Sequence, residues 1–271
     1  MVHRLKALLV KIGGRASRSS TSGNPRVIGA TGGSGTRVMA RLTRRGGTFI
    51  GTLLNEFEDA INIGLFLNEW IPPYIESEHR GVPMAPGTSE EMARQFHAAL
   101  ARHLEPMTDR GGPYGWKEPR SIYLLPFFHA QFPGMRFLHL IRDGRDMAFS
   151  TNQNQLRQYG DLMVPPELAG WPRPVQSIAL WSRINQWAAD YGESRMRGQY
   201  LRVRFEDLCA DPVPQVRRVF DFFGLEGDPA EAARIELTPP ESIGRWRQED
   251  PDVLGALHEY GGAALRRFGY L

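Results

Sequence analysis

The chain has 271 residues, 41% of them hydrophobic, with one cysteine and a net charge of +3 at pH 7. That length and apolar content suffice to bury a large core, so one compact α/β domain is the simplest expectation. The single Cys209 excludes an internal disulfide framework, no Cys/His cluster has zinc-ligand spacing, and the small net charge argues against a nucleic-acid partner.

The first 24 residues are basic and end in a Ser/Thr/Gly stretch, which predicts a flexible N-terminal arm before a single domain at residues 25–271. We expect the arm to be solvated, with contact to an anionic membrane as the alternative. The apolar run Leu8–Val10 is far too short for a signal-peptide core or a membrane span. We therefore expect a soluble, cytoplasmic protein with no integral membrane segment.

Short apolar runs alternate with helical patterns along the rest of the chain. Arg26–Ala30 is a β-branched run that enters a glycine-rich turn, and Thr36–Arg44 behind it has helical composition. Thr48–Ile50 is a second strand candidate. An acidic segment then precedes a helix predicted over Ile61–Trp70.

The same alternation continues to the C-terminus. Thr88–Glu91 has the pattern of a capping box at the start of a helix. Arg136–Ile141 is a strand candidate, and Asp143 is placed to cap the helix after it. Leu201–Phe205 is another strand candidate, followed by a helix that we expect to stop at Gly224. Strands separated by helices predict an α/β fold, a single P-loop-like domain with a central, mostly parallel sheet flanked by helices.

A glycine-rich loop at Gly29–Arg37 joins the first predicted strand to the first helix. Glycines let successive backbone N–H groups converge on an anion, and the helix N-terminus adds partial positive charge, so the loop is typical of phosphate or sulfate binding. A nucleoside-triphosphate P-loop requires lysine after its last glycine. Thr36 stands there instead, which argues against a kinase or an ATPase.

The segment Phe137–Ser150 (FLHLIRDGRDMAFS) carries the most specific pattern. It resembles the 3'-phosphate-binding element of the superfamily of sulfotransferases that use 3'-phosphoadenosine 5'-phosphosulfate (PAPS), including its bacterial and carbohydrate-type members. The resemblance implies that Arg142 and Ser150 bind the 3'-phosphate of the cofactor. An arginine that leaves a strand beside a helix N-terminus is well placed for such a dianion. We interpret Arg145 and Asp146 as helix-end charges that hold the turn.

Two further segments resemble the same family. The glycine loop is similar to its 5'-phosphosulfate loop, which implies cofactor binding by Gly32, Gly33, Ser34, Gly35, Thr36 and Arg37. The family has a basic residue before Ser-Gly-Thr, where this chain has Gly33, and Arg37 and Lys117 are alternative replacements. Lys117 belongs to Trp116–Arg120, which resembles a K-x-P element whose lysine faces the sulfuryl group. The alternative for Lys117 is a solvated pair with Glu118.

The C-terminal third carries two weaker matches. Tyr200–Pro212 resembles the family's strand ending in Y-E-D-L, with Phe205 where tyrosine is usual. Ile243–Arg247 resembles the loop that closes over the cofactor, which implies phosphate binding by Arg245.

In sulfuryl transfer, the acceptor hydroxyl attacks in line with the leaving group. The reaction requires cations or N–H donors that neutralise the charge on the sulfuryl oxygens and on the leaving group, and a base positioned beside the hydroxyl. It does not require a metal. Glu58 and Asp59 follow the second strand candidate, and we place Glu58 ahead of Asp59 and both ahead of Glu56. The alternative is that this acidic run only caps the following helix. His139 lies within a strand, and we expect it to be packed rather than catalytic.

We expect the acceptor to be a small molecule or a glycan that carries a hydroxyl group, and a carbohydrate is one candidate. Five aromatic residues would stack on sugar rings or, more commonly, fill the core: Trp70, Tyr74, Trp171, Trp181 and Trp187. Two other functions remain as alternatives. One is a non-catalytic protein that binds a nucleotide or a sulfated glycan, and the other is a P-loop phosphotransferase.

Overall fold

The computed structural model describes residues 23–271. The predicted basic arm at residues 1–24 therefore falls almost wholly outside the described residues, and the domain boundary at residue 25 stays a prediction. Four parallel strands form one sheet in the order β2-β1-β3-β4. They are β1 (Arg26–Ala30), β2 (Gly115–Lys117), β3 (Arg136–Ile141) and β4 (Tyr200–Arg204).

Side chains alternate between the two faces of the sheet, as the pleat of a strand requires. Ile28, Leu138 and Val203 point into one apolar cluster, while Val27 and Phe137 point into another on the opposite face. All five are at most 1% exposed. The α/β prediction is confirmed, because a parallel sheet buried on both faces lies at the centre of the fold.

Helices cover both faces. They are α1 (Thr36–Arg45), α2 (Ile61–Arg80), α3 (Thr88–Leu104), α4 (Leu125–Gln131), α5 (Gly144–Ala148), α6 (Asn154–Met163), α7 (Arg173–Arg195), α8 (Phe205–Ala210), α9 (Pro212–Phe223), α10 (Pro229–Glu236) and α11 (Pro251–Arg267). The larger cluster includes residues of α2, α3, α4, α7 and α11, and the smaller one includes residues of α1, α9 and α10. Short 3-10 turns lie at Pro119–Leu124, Pro166–Leu168 and Arg245–Gln248.

The order of the strands positions the site. From β1 the chain crosses to β2 on one side, and the next strand, β3, lies on the other side of β1. Connections that diverge in this way leave a crevice beyond the carboxyl ends of the strands, where α/β proteins bind ligands. The glycine loop after β1 and Arg142 after β3 meet at this edge.

Three local predictions are corrected. Thr48–Ile50 is not a strand, because only Phe49 forms an isolated bridge, with Tyr114, before Gly51 turns the backbone at φ 95°. The capping box at Thr88–Glu91 does not form, because Gly87 caps α3 without a side-chain bond. The helix predicted over Ile61–Trp70 continues through two prolines to Arg80, and Ile71, Tyr74 and Ile75 in this extension are buried.

Other local predictions are confirmed. The Asp143 carboxylate accepts a hydrogen bond from the Arg145 backbone N–H and caps α5. Gly224 ends α9 in the left-handed conformation, at φ 64°. Across the described part of the chain, none of the helices combines the length and the apolar character that a membrane crossing demands.

Candidate functional site

The loop between β1 and α1 has a backbone that only glycine adopts without strain. Gly33 and Gly35 have φ values of 88° and 87°. A Cβ atom on Gly35 would lie 2.3 Å from Cε2 of Phe205, so this position also needs the missing side chain. The Ser34 hydroxyl is used within the loop, because it donates to the Thr31 carbonyl at 2.8 Å. Thr36 is the first residue of α1 and is mostly buried, at 7% exposure.

Arg142 leaves the end of β3 and is almost completely buried, at 5% exposure. Its Nη2 donates to the Ser242 hydroxyl at 2.9 Å, and its Nη1 lies 3.5 Å from the Gly33 carbonyl. Its Nε is buried without a hydrogen-bond partner in residues 23–271. Burial lowers the pKa of Arg142, while Asp146 at 3.8 Å opposes this effect. A buried guanidinium N–H without a hydrogen-bond partner carries a desolvation cost.

Ser150 borders the same loop. A Cβ atom on Gly33 would lie 3.6 Å from the Ser150 Oγ, which accepts a hydrogen bond from the Asn152 backbone at 3.2 Å. The structure therefore brings Ser150 and Arg142 close to the same residue of the loop, Gly33.

The C-terminal loop that carries Arg245 is tied to Arg142, because both side chains bond to Ser242. Arg245 Nε donates to the Ser242 carbonyl at 3.2 Å, and its charge contributes to lowering the pKa of Arg142. Asp146 accepts hydrogen bonds from the backbone N–H groups of Gly244 and Trp246, at 2.8 and 3.4 Å. Asp146 thus holds a loop about 100 residues away, a role that its place in the turn did not reveal.

Arg145 also fastens this region. Its guanidinium forms a two-point pair with the Asp143 carboxylate, at 3.0 and 2.8 Å, and stacks over the Trp246 ring at 3.8 Å. These contacts hold the turn after β3 in place, which is the structural role that the sequence indicates for Arg145.

A cavity of about 510 Å³ opens beside the glycine loop. Its wall combines the loop, the segment around Asp59, the end of β2 and the start of α6. The lining residues are Gly32, Gly33, Gly35, Thr36, Arg37, Asn55, Phe57, Asp59, Asn68, Lys117, Glu118, Pro119, Arg120, Asn152, Asn154, Gln155 and Gln158.

Lys117 and Asp59 meet in this cavity. Lys117 ends β2 with 1% exposure, and its Nζ donates to the Asp59 Oδ1 and the Phe57 carbonyl, at 2.5 Å each. Burial lowers the pKa of Lys117, and the Asp59 carboxylate opposes this effect. The alternative of a solvated Lys117–Glu118 pair is wrong, because both side chains are buried and Lys117 pairs with Asp59 instead.

Glu58 lies outside the residues that line the cavity. Its carboxylate pairs with Arg41 at 2.7 Å and Arg44 at 3.4 Å on α1. Burial raises the pKa of Glu58, but these two arginines outweigh it and lower the pKa overall. Glu56 is exposed, and Arg37 lines the cavity with its guanidinium 5.7 Å from the Phe57 ring.

Sequence reasoning missed one wall of the cavity. Glu118 and Arg120 line it together with the amides of Asn68 and Gln158. Burial raises the pKa of Glu118, and Arg120 opposes this effect. Two signals were available: Glu118 directly follows the lysine at the end of a parallel strand, and the run at residues 152–155 consists entirely of Asn and Gln.

The candidate stacking aromatics do not line the cavity. Trp70, Tyr74 and Trp181 are core residues at 8% exposure or less, Trp171 packs against Tyr260, and Trp187 packs against His79. His139 is also packed, as expected, between Asn185 and Tyr200. Between residues 23 and 271, no group of three or more His, Cys, Asp or Glu residues has a metal-binding arrangement.

Comparisons with known proteins identify a family and a shared fold. The family model described as "Sulfotransferase family" matches residues 53–229, more than half of the chain. A sulfotransferase structure from Alicyclobacillus acidocaldarius is 18% identical with a TM-score of 0.53, over 90% of this chain and 94% of that one. Sulfotransferase STF1 from Mycobacterium tuberculosis is 13% identical with a TM-score of 0.51, over 89% and 76% of the two chains.

Mouse sulfotransferase SULT7A1 complexed with 3'-phosphoadenosine 5'-phosphate (PAP) is 14% identical with a TM-score of 0.50, over 92% and 88% of the two chains. At these identities the structures show a shared fold. Comparison with curated protein sequences gives no significant match.

Proposed function

Since the chain belongs to the sulfotransferase family, we propose that it transfers a sulfuryl group from PAPS to a hydroxyl group of its acceptor. The observation that carries this proposal is the buried Arg142, whose Nη1 lies 3.5 Å from the Gly33 carbonyl of the glycine loop and whose Nε has no partner among residues 23–271. When bound, PAPS supplies the sulfuryl group and a phosphate leaving group.

The residues present fit such a nucleotide. Backbone N–H groups of Gly32–Thr36 and the N-terminus of α1 would hold the 5'-phosphosulfate. Arg142, Ser150 and Arg245 would hold the 3'-phosphate, and that contact would give Arg142 Nε its missing partner. The complex of mouse SULT7A1 with PAP supports this assignment, because the shared fold there holds a nucleotide with a 3'-phosphate.

We propose Lys117 as the cation that replaces the basic side chain absent at Gly33. A side chain at Gly33 would be strained at φ 88° and would lie 3.3 Å from the Met147 Cε atom. Lys117 and Arg37 both line the cavity, but Lys117 is buried, and a charge in a low-dielectric site acts more strongly on a developing negative charge. Arg37 is the second cation of the site.

We propose Asp59 as the general base, ahead of Glu58. Asp59 lines the cavity and is oriented by Lys117, whereas the Glu58 carboxylate is held by Arg41 and Arg44 outside it. The Asp59 carboxylate would accept the proton of the attacking hydroxyl group, and Lys117 would neutralise the charge that develops during transfer.

A transfer assay tests the proposal. The purified protein is incubated with sulfur-labelled PAPS and a panel of hydroxyl compounds, and label in the acceptor and release of PAP are both measured. We expect equal amounts of sulfated acceptor and PAP. PAP release without label in any acceptor, or no turnover although the acceptor panel is broad, would contradict the proposal.

A further inference from the structure

The cavity holds a buried carboxylate that neither the cofactor site nor the Lys117–Asp59 pair uses. Glu118 is 3% exposed and directly follows the last residue of β2. Its Oε1 accepts a hydrogen bond from Arg120 Nε at 2.8 Å. Its Oε2 is buried and has no partner in the described part of the chain. An unpaired carboxylate oxygen in a cavity wall is a costly feature unless a ligand donates a hydrogen bond to it.

Arg120 orients two amide side chains around this carboxylate. Its Nη1 donates to the Asn68 Oδ1 and lies 3.5 Å from the Gln158 Oε1. A guanidinium is only a donor, so these contacts fix the oxygen of each amide toward Arg120 and leave the amide N–H₂ groups facing away from it. Those N–H₂ groups make no hydrogen bond within residues 23–271, and both residues line the cavity.

The cavity wall therefore has two oriented donors, and Glu118 adds an acceptor oxygen that is closed to solvent and has no partner among residues 23–271. A hydroxyl group both donates and accepts, so a hydroxyl bound here would satisfy one amide and, once the Glu118 side chain turns Oε2 toward the cavity, that oxygen as well. Glu118 is adjacent in sequence to Lys117. Burial raises the pKa of Glu118, and the negative charge of Asp59 raises it further. The subsite thus lies beside the candidate base and lines the same cavity.

We propose that Glu118, with Asn68 and Gln158 oriented by Arg120, binds a second hydroxyl group of the acceptor, next to the hydroxyl that is sulfated. The acceptor is accordingly a compound with neighbouring hydroxyl groups, such as a carbohydrate or another polyol. This inference rests on the proposed function and names its substrate class. It places recognition in polar side chains rather than in stacking aromatics.

Matched acceptors test the inference. The probes are trans-cyclohexane-1,2-diol and methyl hexopyranosides beside cyclohexanol, each with PAPS, and kcat/KM is measured from PAP release. We expect the compounds with neighbouring hydroxyls to exceed cyclohexanol by at least about tenfold, because a site built to bond a hydroxyl rejects an analogue that lacks it.

Glu118→Gln isolates the free oxygen. Glutamine can still accept from Arg120 but places an N–H₂ group where Oε2 stood, so we expect the diol preference to fall to about twofold or less. Glu105→Gln, at an exposed position at the end of α3, is the matched control and keeps the full preference. Calorimetric binding of PAP to Glu118→Gln monitors the fold and the cofactor site.

The outcomes separate the two claims. Equal turnover of cyclohexanol and the diol, or equal losses for both in Glu118→Gln, overturns the subsite and leaves the proposed function standing. PAP binding with no turnover of any polyol overturns the substrate class. Failure to bind PAP overturns the proposed function, and the subsite with it.

Discussion

Replacement of Arg142 gives the sharpest test of the cofactor site. The buried Nε of Arg142 has no hydrogen-bond partner among residues 23–271, and its Nη2 bonds to Ser242. Loss of a charge-assisted bond to a phosphate costs about 1.5–3 kcal/mol. Arg142→Ala should therefore weaken PAP binding by about 10- to 150-fold. AMP lacks the 3'-phosphate, so its affinity should change far less, and the ratio of the two affinities measures the contact itself.

The assay is calorimetric titration of each variant with PAP and with AMP. Arg142→Lys keeps the charge beside Asp146 but loses Nε, so it should retain the fold and lose part of the PAP selectivity. Arg266→Ala, at an exposed position on α11, is the control. An unchanged ratio of PAP to AMP affinity in Arg142→Ala with a native melting profile would refute the assignment of the 3'-phosphate site.

Three further predictions concern the base, the loop and the core. Asp59→Asn should lower kcat by about 10²- to 10⁴-fold and retain PAP binding. Glu58→Gln should lower kcat by less than about tenfold. Single-turnover rates compare the two variants, and a larger loss in Glu58→Gln than in Asp59→Asn would identify Glu58 as the base. Gly35→Ala should weaken PAP binding and lower the melting temperature, because its Cβ would overlap Phe205; native values for both would show that the loop adapts. Burial lowers the pKa of His139 to about 4 from its ordinary 6.5, so the stability from its neutral form is complete above pH 6.5 and decreases as pH falls toward 4, by up to about 1.4 kcal/mol per pH unit. Urea unfolding of wild type and His139→Gln between these pH values should give a shallower slope for the variant, and parallel slopes would be inconsistent with a buried neutral imidazole.

Burial is the main cause of the lowered pKa of His139, and the neutral ring has a partner at each nitrogen. Asn185 donates its amide N–H to the Trp181 carbonyl at 2.7 Å, so its oxygen faces His139 Nε2 at 2.8 Å and accepts from it. His139 Nδ1 then accepts from the Tyr200 hydroxyl at 2.6 Å. Protonation at Nδ1 would require the Tyr200 hydroxyl to accept instead of donate.

Much of the local structure around the proposed cofactor site could be predicted because its signals are local in sequence. The glycine loop, the strand at Arg136–Ile141 and the Asp143 cap each depend on neighbouring residues, and the structure contains all three. The strand predicted at Thr48–Ile50 was wrong because its residue pattern did not show that Gly51 ends the extended backbone directly after it.

The acceptor side could not be predicted in the same way because it is assembled from distant segments. Arg120 reaches Asn68, which is 52 residues away, and Asp59 meets Lys117 across 58 residues. The sequence also could not show which of Glu58 and Asp59 faces the cavity, because adjacent carboxylates differ only in the partners that the fold gives them. Here α1 supplies two arginines to Glu58, and β2 supplies Lys117 to Asp59.

Calorimetric titration of the wild-type protein with PAP, AMP and ATP tests the proposed cofactor directly, because only PAP carries the 3'-phosphate that Arg142, Ser150 and Arg245 are proposed to bind. We expect a clear preference for PAP over both other nucleotides. Preference for ATP, or no binding of PAP, would contradict the assignment of PAPS as the sulfuryl donor.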